Sequence, residues 1–123
     1  MASSLVYNGP SGRSNPDHIL QRRDRMIVVR DLFHVEPEQM KVAKEEFKKH
    51  REIAKRLGYR MVRVLTDLTG EYYTLVLESE YSSLAEYEAA LHKILADSEW
   101  QQSYSKFRKI IRGGRREIFT LVE

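Results

Sequence analysis

A chain of 123 residues with 41% hydrophobic and 32% charged side chains is long enough for one domain with a single core and too short for two. It contains no cysteine, which excludes a disulfide framework, a cysteine nucleophile and a thiolate metal site. The net charge of +3, with acids spread among the bases, permits weak polyanion binding and argues for none.

No apolar run reaches the roughly 20 residues of a membrane helix. Leu5-Val6-Tyr7 is too short for the apolar core of a secretory leader. The expectation is a cytoplasmic protein with no membrane partner. Residues 1–25 read as a flexible N-terminal arm, because Ser, Asn, Gly and Pro dominate up to Pro16 and no helical or strand periodicity survives. Residues 26–123 read as the domain.

Met26 to His34 is the first expected strand, rich in β-branched residues. One face carries Ile27, Val29 and Phe33, with Asp31 an awkward member; the other carries Met26, Val28, Arg30, Leu32 and His34. Glu36-Pro37-Glu38 reads as a helix start, with proline at the first helical position and acids at the positive end of the dipole. Met40, Ala43, Phe47, Ala54 and Leu57 recur on one stripe, His50 falls on it too, and Gly58 marks the stop.

Tyr59 to Thr66 is the second strand, with Val62 and Val64 opposite Met61, Arg63 and Leu65. Asp67 to Gly70 is a hairpin turn leading into a third strand over Glu71 to Ser79. Ser83 to Glu86 has the capping-box pattern, and Leu84, Tyr87, Leu91, Ile94 and Leu95 form the apolar stripe that follows. Asp97-Ser98 reads as a break and a fresh cap before Trp100, Tyr104, Phe107 and Ile111. Gly113-Gly114 reads as the end of that helix, and Arg115 to Val122 as the last strand.

The order β-α-β-β-α-β is the split βαβ unit. It implies an α+β, ferredoxin-like fold with a four-stranded antiparallel sheet and helices on one face. The face without helices then holds Val28, Leu32, Met61, Leu65, Val76, Ile118 and Val122 among polar residues that include Arg116 and Thr120. A half-apolar open sheet calls for a partner, and the simplest is a second copy around a two-fold axis.

Tyr81 to Tyr87, Leu95 to Gln101 and Gly113 to Ile118 carry a resemblance to NIPSNAP-like domains of the dimeric α/β-barrel superfamily. The resemblance covers roughly residues 26–123. It implies a ferredoxin-like protomer that pairs into a barrel, and it implies no single activity. Relatives in the wider superfamily include cofactor-independent monooxygenases, haem-degrading enzymes and proteins with no assigned chemistry.

Candidate chemistry is sparse. His34, at the end of the first strand, is the candidate general base, since histidine titrates near neutrality. Arg30, Arg63, Tyr72, Thr74 and Glu78 are the candidate ligand-binding residues, suited to orienting a small aromatic or carboxylated molecule. Cross-strand ion pairing is the plainer explanation of the arginines and Glu78. Glu46 and His50 at i, i+4 lack a third metal ligand with recognisable spacing, and packing explains His50 better. His92 lacks the asparagine and tryptophan partners that the haem-degrading relatives imply. No metal and no cofactor is expected.

The expected function is binding of a small organic molecule in a cleft between sheet and helices, with cofactor-independent oxygenase or isomerase-type chemistry as the reaction class. The alternative is a non-catalytic homodimeric interaction module, which a cleft closed by packed side chains would favour. RNA binding through the open face is a further alternative, but the third strand lacks the aromatic signature of RNA-recognition modules, so nucleic acid is not an expected partner.

Overall fold

Seven elements follow one another in the computed structural model, which describes residues 26–122. They are β1 (Ile27–Val35), α1 (Met40–Arg56), β2 (Met61–Thr66), β3 (Thr74–Tyr81), α2 (Leu84–Ala96), α3 (Ser98–Arg108) and β4 (Ile111–Thr120). The strands form one antiparallel sheet in the order β2-β3-β1-β4. This is the expected ferredoxin-like arrangement, with the second helix broken into α2 and α3. The expected arm, residues 1–25, lies outside the described residues.

Strand alternation decides which side chains meet the helices. Ile27, Val29, Asp31 and Val35 of β1 are buried, as are Leu75, Leu77, Ser79 and Tyr81 of β3. The core gathers in two clusters. Ile27, Val29, Tyr81, Tyr87 and Ala90 form one, and Val35, Ala43, Leu75 and Phe107 form the other. Asp31 lies on the same face of β1, at mid-strand between the two.

Several boundaries differ from the sequence reading. The helix does not begin at Glu36-Pro37-Glu38. Glu38 has φ 69°, incompatible with a right-handed helix, and α1 starts at Met40. Tyr73 has φ 62°, so the pleat of β3 cannot extend back to Glu71, and Tyr72 stands in the loop. Gly113-Gly114 does not end a helix but lies inside β4. A methyl group on Gly114 would strike the Leu32 carbonyl oxygen, with Phe33 Cα only 3.2 Å away. Glycine there lets β4 run close along β1.

Two register effects move side chains to the helix face. Arg116 pairs with Asp31, Ile118 with Val29 and Thr120 with Ile27, so all three share the helix face and not the open one. An irregularity between Met61 and Arg63 places Met61 opposite Ser79, also on the helix face. Val122 lies beyond the end of β4. Val28, Leu32 and Val76 do occupy the open face, with Leu65 and Phe119 exposed beside them.

The N-terminal caps of α2 and α3 formed as the sequence implied. Ser83 Oγ accepts from the Glu86 N–H at 3.1 Å, and Glu86 Oε1 accepts from the Ser82 N–H at 2.6 Å. Asp97 Oδ2 accepts from the Trp100 N–H at 2.9 Å, opening α3 and setting the position of its tryptophan.

Candidate functional site

Between the sheet and the three helices lies a cavity of about 270 Å³. An apolar cavity of ~150 Å³ already admits benzene, so this one has room for a larger planar molecule. The sheet contributes Asp31, Phe33, Met61, Leu77 and Arg116, α1 contributes Phe47, His50 and Ala54, and Tyr59 follows α1. The remaining wall is Leu91, Ile94 and Leu95 of α2 with Trp100, Tyr104 and Phe107 of α3. The cleft is therefore not closed by packing, the condition that would have favoured a pure interaction module.

His50 is set in an aromatic surround. Its ring lies 5.2 Å from Phe107, 5.9 Å from Tyr104, 6.0 Å from Trp100 and 6.4 Å from Phe47. Trp100 stacks on Tyr104 at 4.7 Å. The residue is 5% exposed. Its Nδ1 is 2.8 Å from the Glu46 carbonyl oxygen, which only accepts, so Nδ1 carries the proton and Nε2 is the bare nitrogen. Nε2 is buried without a hydrogen-bond partner. Burial holds the imidazole pKa below its usual value, and the hydrogen bond and charge of Glu46 offset this only partly.

The sheet side supplies a polar cluster. Arg116 Nε donates to Asp31 Oδ1 at 2.5 Å, and the Tyr59 hydroxyl stands 3.5 Å from Asp31 Oδ2. Burial and then the Asp31 charge push the Tyr59 phenol well above its ordinary value. Burial opposes the Arg116 charge, yet the hydrogen bond and charge of Asp31 raise its pKa overall. Arg116 keeps 45% of its side chain exposed and lies 5.8 Å from the Tyr87 ring centre. The Tyr87 hydroxyl is buried and unpartnered.

Neither the candidate base His34 nor any of the candidate ligand-binding residues lines this cleft. Arg30, Arg63, Glu78, Thr74 and His34 lie on the opposite face of the sheet, and Tyr72 sits in the loop at 77% exposure. Arg30 and Arg63 grip Glu78 at 2.8 and 2.6 Å. Burial pushes the Glu78 carboxyl up, but hydrogen bonds and charge from the two arginines prevail and its pKa falls. Thr74 closes the turn, its N–H donating to Asp67 Oδ1 at 2.8 Å. His34 Nδ1 is 3.7 Å from Glu71 Oε2, at a shallow open-face depression of about 290 Å³ shared with Leu32, Leu65, Val76 and Arg115.

His92 is exposed on α2. Among the described residues no three His, Asp or Glu side chains group as a metal site, and no helix is long and apolar enough to cross a membrane.

A family model described as NIPSNAP matches residues 30–123. The chain belongs to the NIPSNAP family. Solved NIPSNAP structures superpose on it along most of its length. A NIPSNAP family protein of unknown function from Agrobacterium tumefaciens gives a TM-score of 0.74 at 19% identity, covering 80% of this chain and 90% of that one. A NIPSNAP-like domain protein from Burkholderia xenovorans gives 0.73 at 18% identity, covering 80% and 87%.

The same fold appears in a cofactor-independent oxygenase from Streptomyces nogalater, with a TM-score of 0.60 at 13% identity over 80% of this chain and 95% of that one. At such identities the likeness shows the fold alone. No curated protein matches the chain significantly. The NIPSNAP domain thus has a ferredoxin-like fold, with a cavity between its sheet and its three helices.

Proposed function

We propose that this NIPSNAP domain binds a small, planar organic molecule in the cleft between sheet and helices. The observation that carries the reading is an apolar, aromatic-walled cavity of about 270 Å³ with polar groups on two of its walls, His50 on α1 and the Asp31–Arg116 pair on the sheet. If the molecule is turned over, the chemistry belongs to the class that needs no cofactor, an oxygenation or isomerisation of an activated substrate. The fold shared with a cofactor-independent oxygenase supports that class. The test uses Trp100, the single tryptophan of the chain, which lies in the cleft wall. Its fluorescence should change saturably on titration with planar aromatic probes. Ala54→Leu, which fills the cavity from α1, should abolish the change; an unaltered response in that variant would place binding elsewhere.

The open sheet face supports pairing with a second copy. Leu65 and Phe119 are exposed on it and Val28, Leu32 and Val76 are partly exposed, so an uncovered apolar surface runs across all four strands. In such a pair Arg30, Arg63, Glu78 and His34 would lie at the seam. The arginines of that face are engaged with carboxylates, Arg30 and Arg63 with Glu78 and Arg115 with Glu117, which does not favour RNA as the occupant. Light scattering should give twice the 14.5 kDa chain mass, persisting on dilution; a stable monomer would refute the pairing.

A further inference from the structure

The two polar features of the cleft are each half used, and their unused halves define a ligand. His50 spends Nδ1–H on a helix carbonyl and leaves Nε2 as a buried acceptor without a donor. A buried acceptor left unpaired costs ~1–3 kcal/mol, and packing an apolar side chain at that place would remove the cost. Arg116 spends Nε on Asp31, while among the described residues its terminal nitrogens donate no hydrogen bond. One wall of the cleft thus lacks a hydrogen-bond donor, and another offers donors with a positive charge. Between them stand the aromatic rings.

We infer that the cleft selects planar aromatic or enolic molecules bearing a weakly acidic O–H, which donates to His50 Nε2 while an oxygen of the same molecule is received by Arg116. The inference rests on the cleft being the binding site and adds the class of molecule that enters it. The charged and titratable groups facing His50 fit the assignment. Glu46 lies on its own helix, Tyr104 faces it from α3, and Asp31, Arg116 and Tyr59 line the far side, whereas α2 presents Leu91, Ile94 and Leu95. No carboxylate is bonded to Nε2, so the imidazole is held neutral and able to accept. The proton stays on the ligand oxygen, because burial disfavours a charged imidazole, and Nε2 accepts the hydrogen bond. Arg116 would receive the second oxygen with a charge-assisted hydrogen bond, and no bond is made or broken.

The probes are 4-nitrophenol, at a pH where it stays protonated, and nitrobenzene, which lacks the hydroxyl. With the full chain, 4-nitrophenol should bind about tenfold or more tightly than nitrobenzene, a factor set by one hydrogen bond to a buried group. His50→Phe should keep nitrobenzene binding and lose the preference. His50→Leu should likewise lose the preference, and Arg116→Met should weaken both probes while keeping the preference. Equal affinity for the two probes, or a preference that survives in His50→Phe, would overturn the inference and leave the cleft reading intact. Failure of the wild-type chain to bind either probe would overturn both. Circular dichroism checks that each variant is folded; should His50→Phe fail that check, His50→Leu decides.

Discussion

Replacing His50 with phenylalanine should stabilise this domain. The imidazole is 5% exposed, its Nε2 has no partner, and the ring already sits among Phe47, Trp100, Tyr104 and Phe107. The wild-type protein therefore carries the cost of an unpaired buried acceptor, ~1–3 kcal/mol. Against this, His50→Phe forfeits the Nδ1–H bond to the Glu46 carbonyl, worth roughly 0.5–1.5 kcal/mol. The adjoining cavity gives the slightly larger ring room. The balance is a gain of about 1 kcal/mol near neutral pH.

The gain should widen on acidification. The folded-state pKa of His50 lies below its ordinary 6.5, so below that pH the unfolded chain takes up a proton that the folded chain refuses. Wild-type stability falls there by up to about 1.4 kcal/mol per pH unit until the folded pKa is reached, and the phenylalanine variant loses this contribution. Urea unfolding at about pH 7.5 and about pH 5.5 measures both effects. A variant less stable than wild type at neutral pH, with the same dependence on pH, would refute the reasoning.

Gly114→Ala should lower stability by about 1–3 kcal/mol, because the added methyl group meets the Leu32 carbonyl, which is backbone and cannot turn aside; a thermal melt reads it. Glu78→Ala should cost about 1–2 kcal/mol, since Arg30 and Arg63 lose their buried partner but still reach water. The Glu78 pKa lies below 4.5 in the folded state, so its contribution is full above that pH and is lost as the pH falls through the folded value. Denaturant titrations of Glu78→Ala should accordingly show a flatter acid limb than wild type. Asp97→Ala removes the cap of α3, costs about 1 kcal/mol and loosens Trp100, which should weaken probe binding more than unfolding data alone would suggest.

Much of the fold could be read from the chain because its local signals agree. The alternation in β1, the capping box at Ser83 and the fresh cap at Asp97 each reflect short-range chemistry, and each appears where the residues placed it. The site was less legible because it depends on which strands share a register. Alternation along a strand that begins at Arg115 puts Arg116 on the open face. Its true pairing with Asp31 is set across β1 and β4, where Gly114 permits the close approach. The irregularity beside Met61 is likewise invisible without the partner strand.

Two signals nevertheless pointed to the cleft. Asp31 interrupts the apolar face of β1, and His50 interrupts the apolar stripe of α1. A polar residue within an apolar pattern marks either a satisfied core group or a site, and the unpartnered Nε2 of His50 is what the proposed site rests on. His34, Arg30, Arg63, Tyr72, Thr74 and Glu78 stood out for their chemistry alone. The pleat and the Tyr73 turn send them to the open face or out of the sheet.

The most direct test of the cleft as the ligand site is the indole N–H resonance of Trp100, which is unique because the chain has one tryptophan. Recorded by two-dimensional NMR while 4-nitrophenol is titrated into the full chain, it should shift saturably in the wild type and stay fixed in Ala54→Leu. An indole resonance that ignores the probe, or that moves equally in both proteins, would contradict the assignment of the cleft.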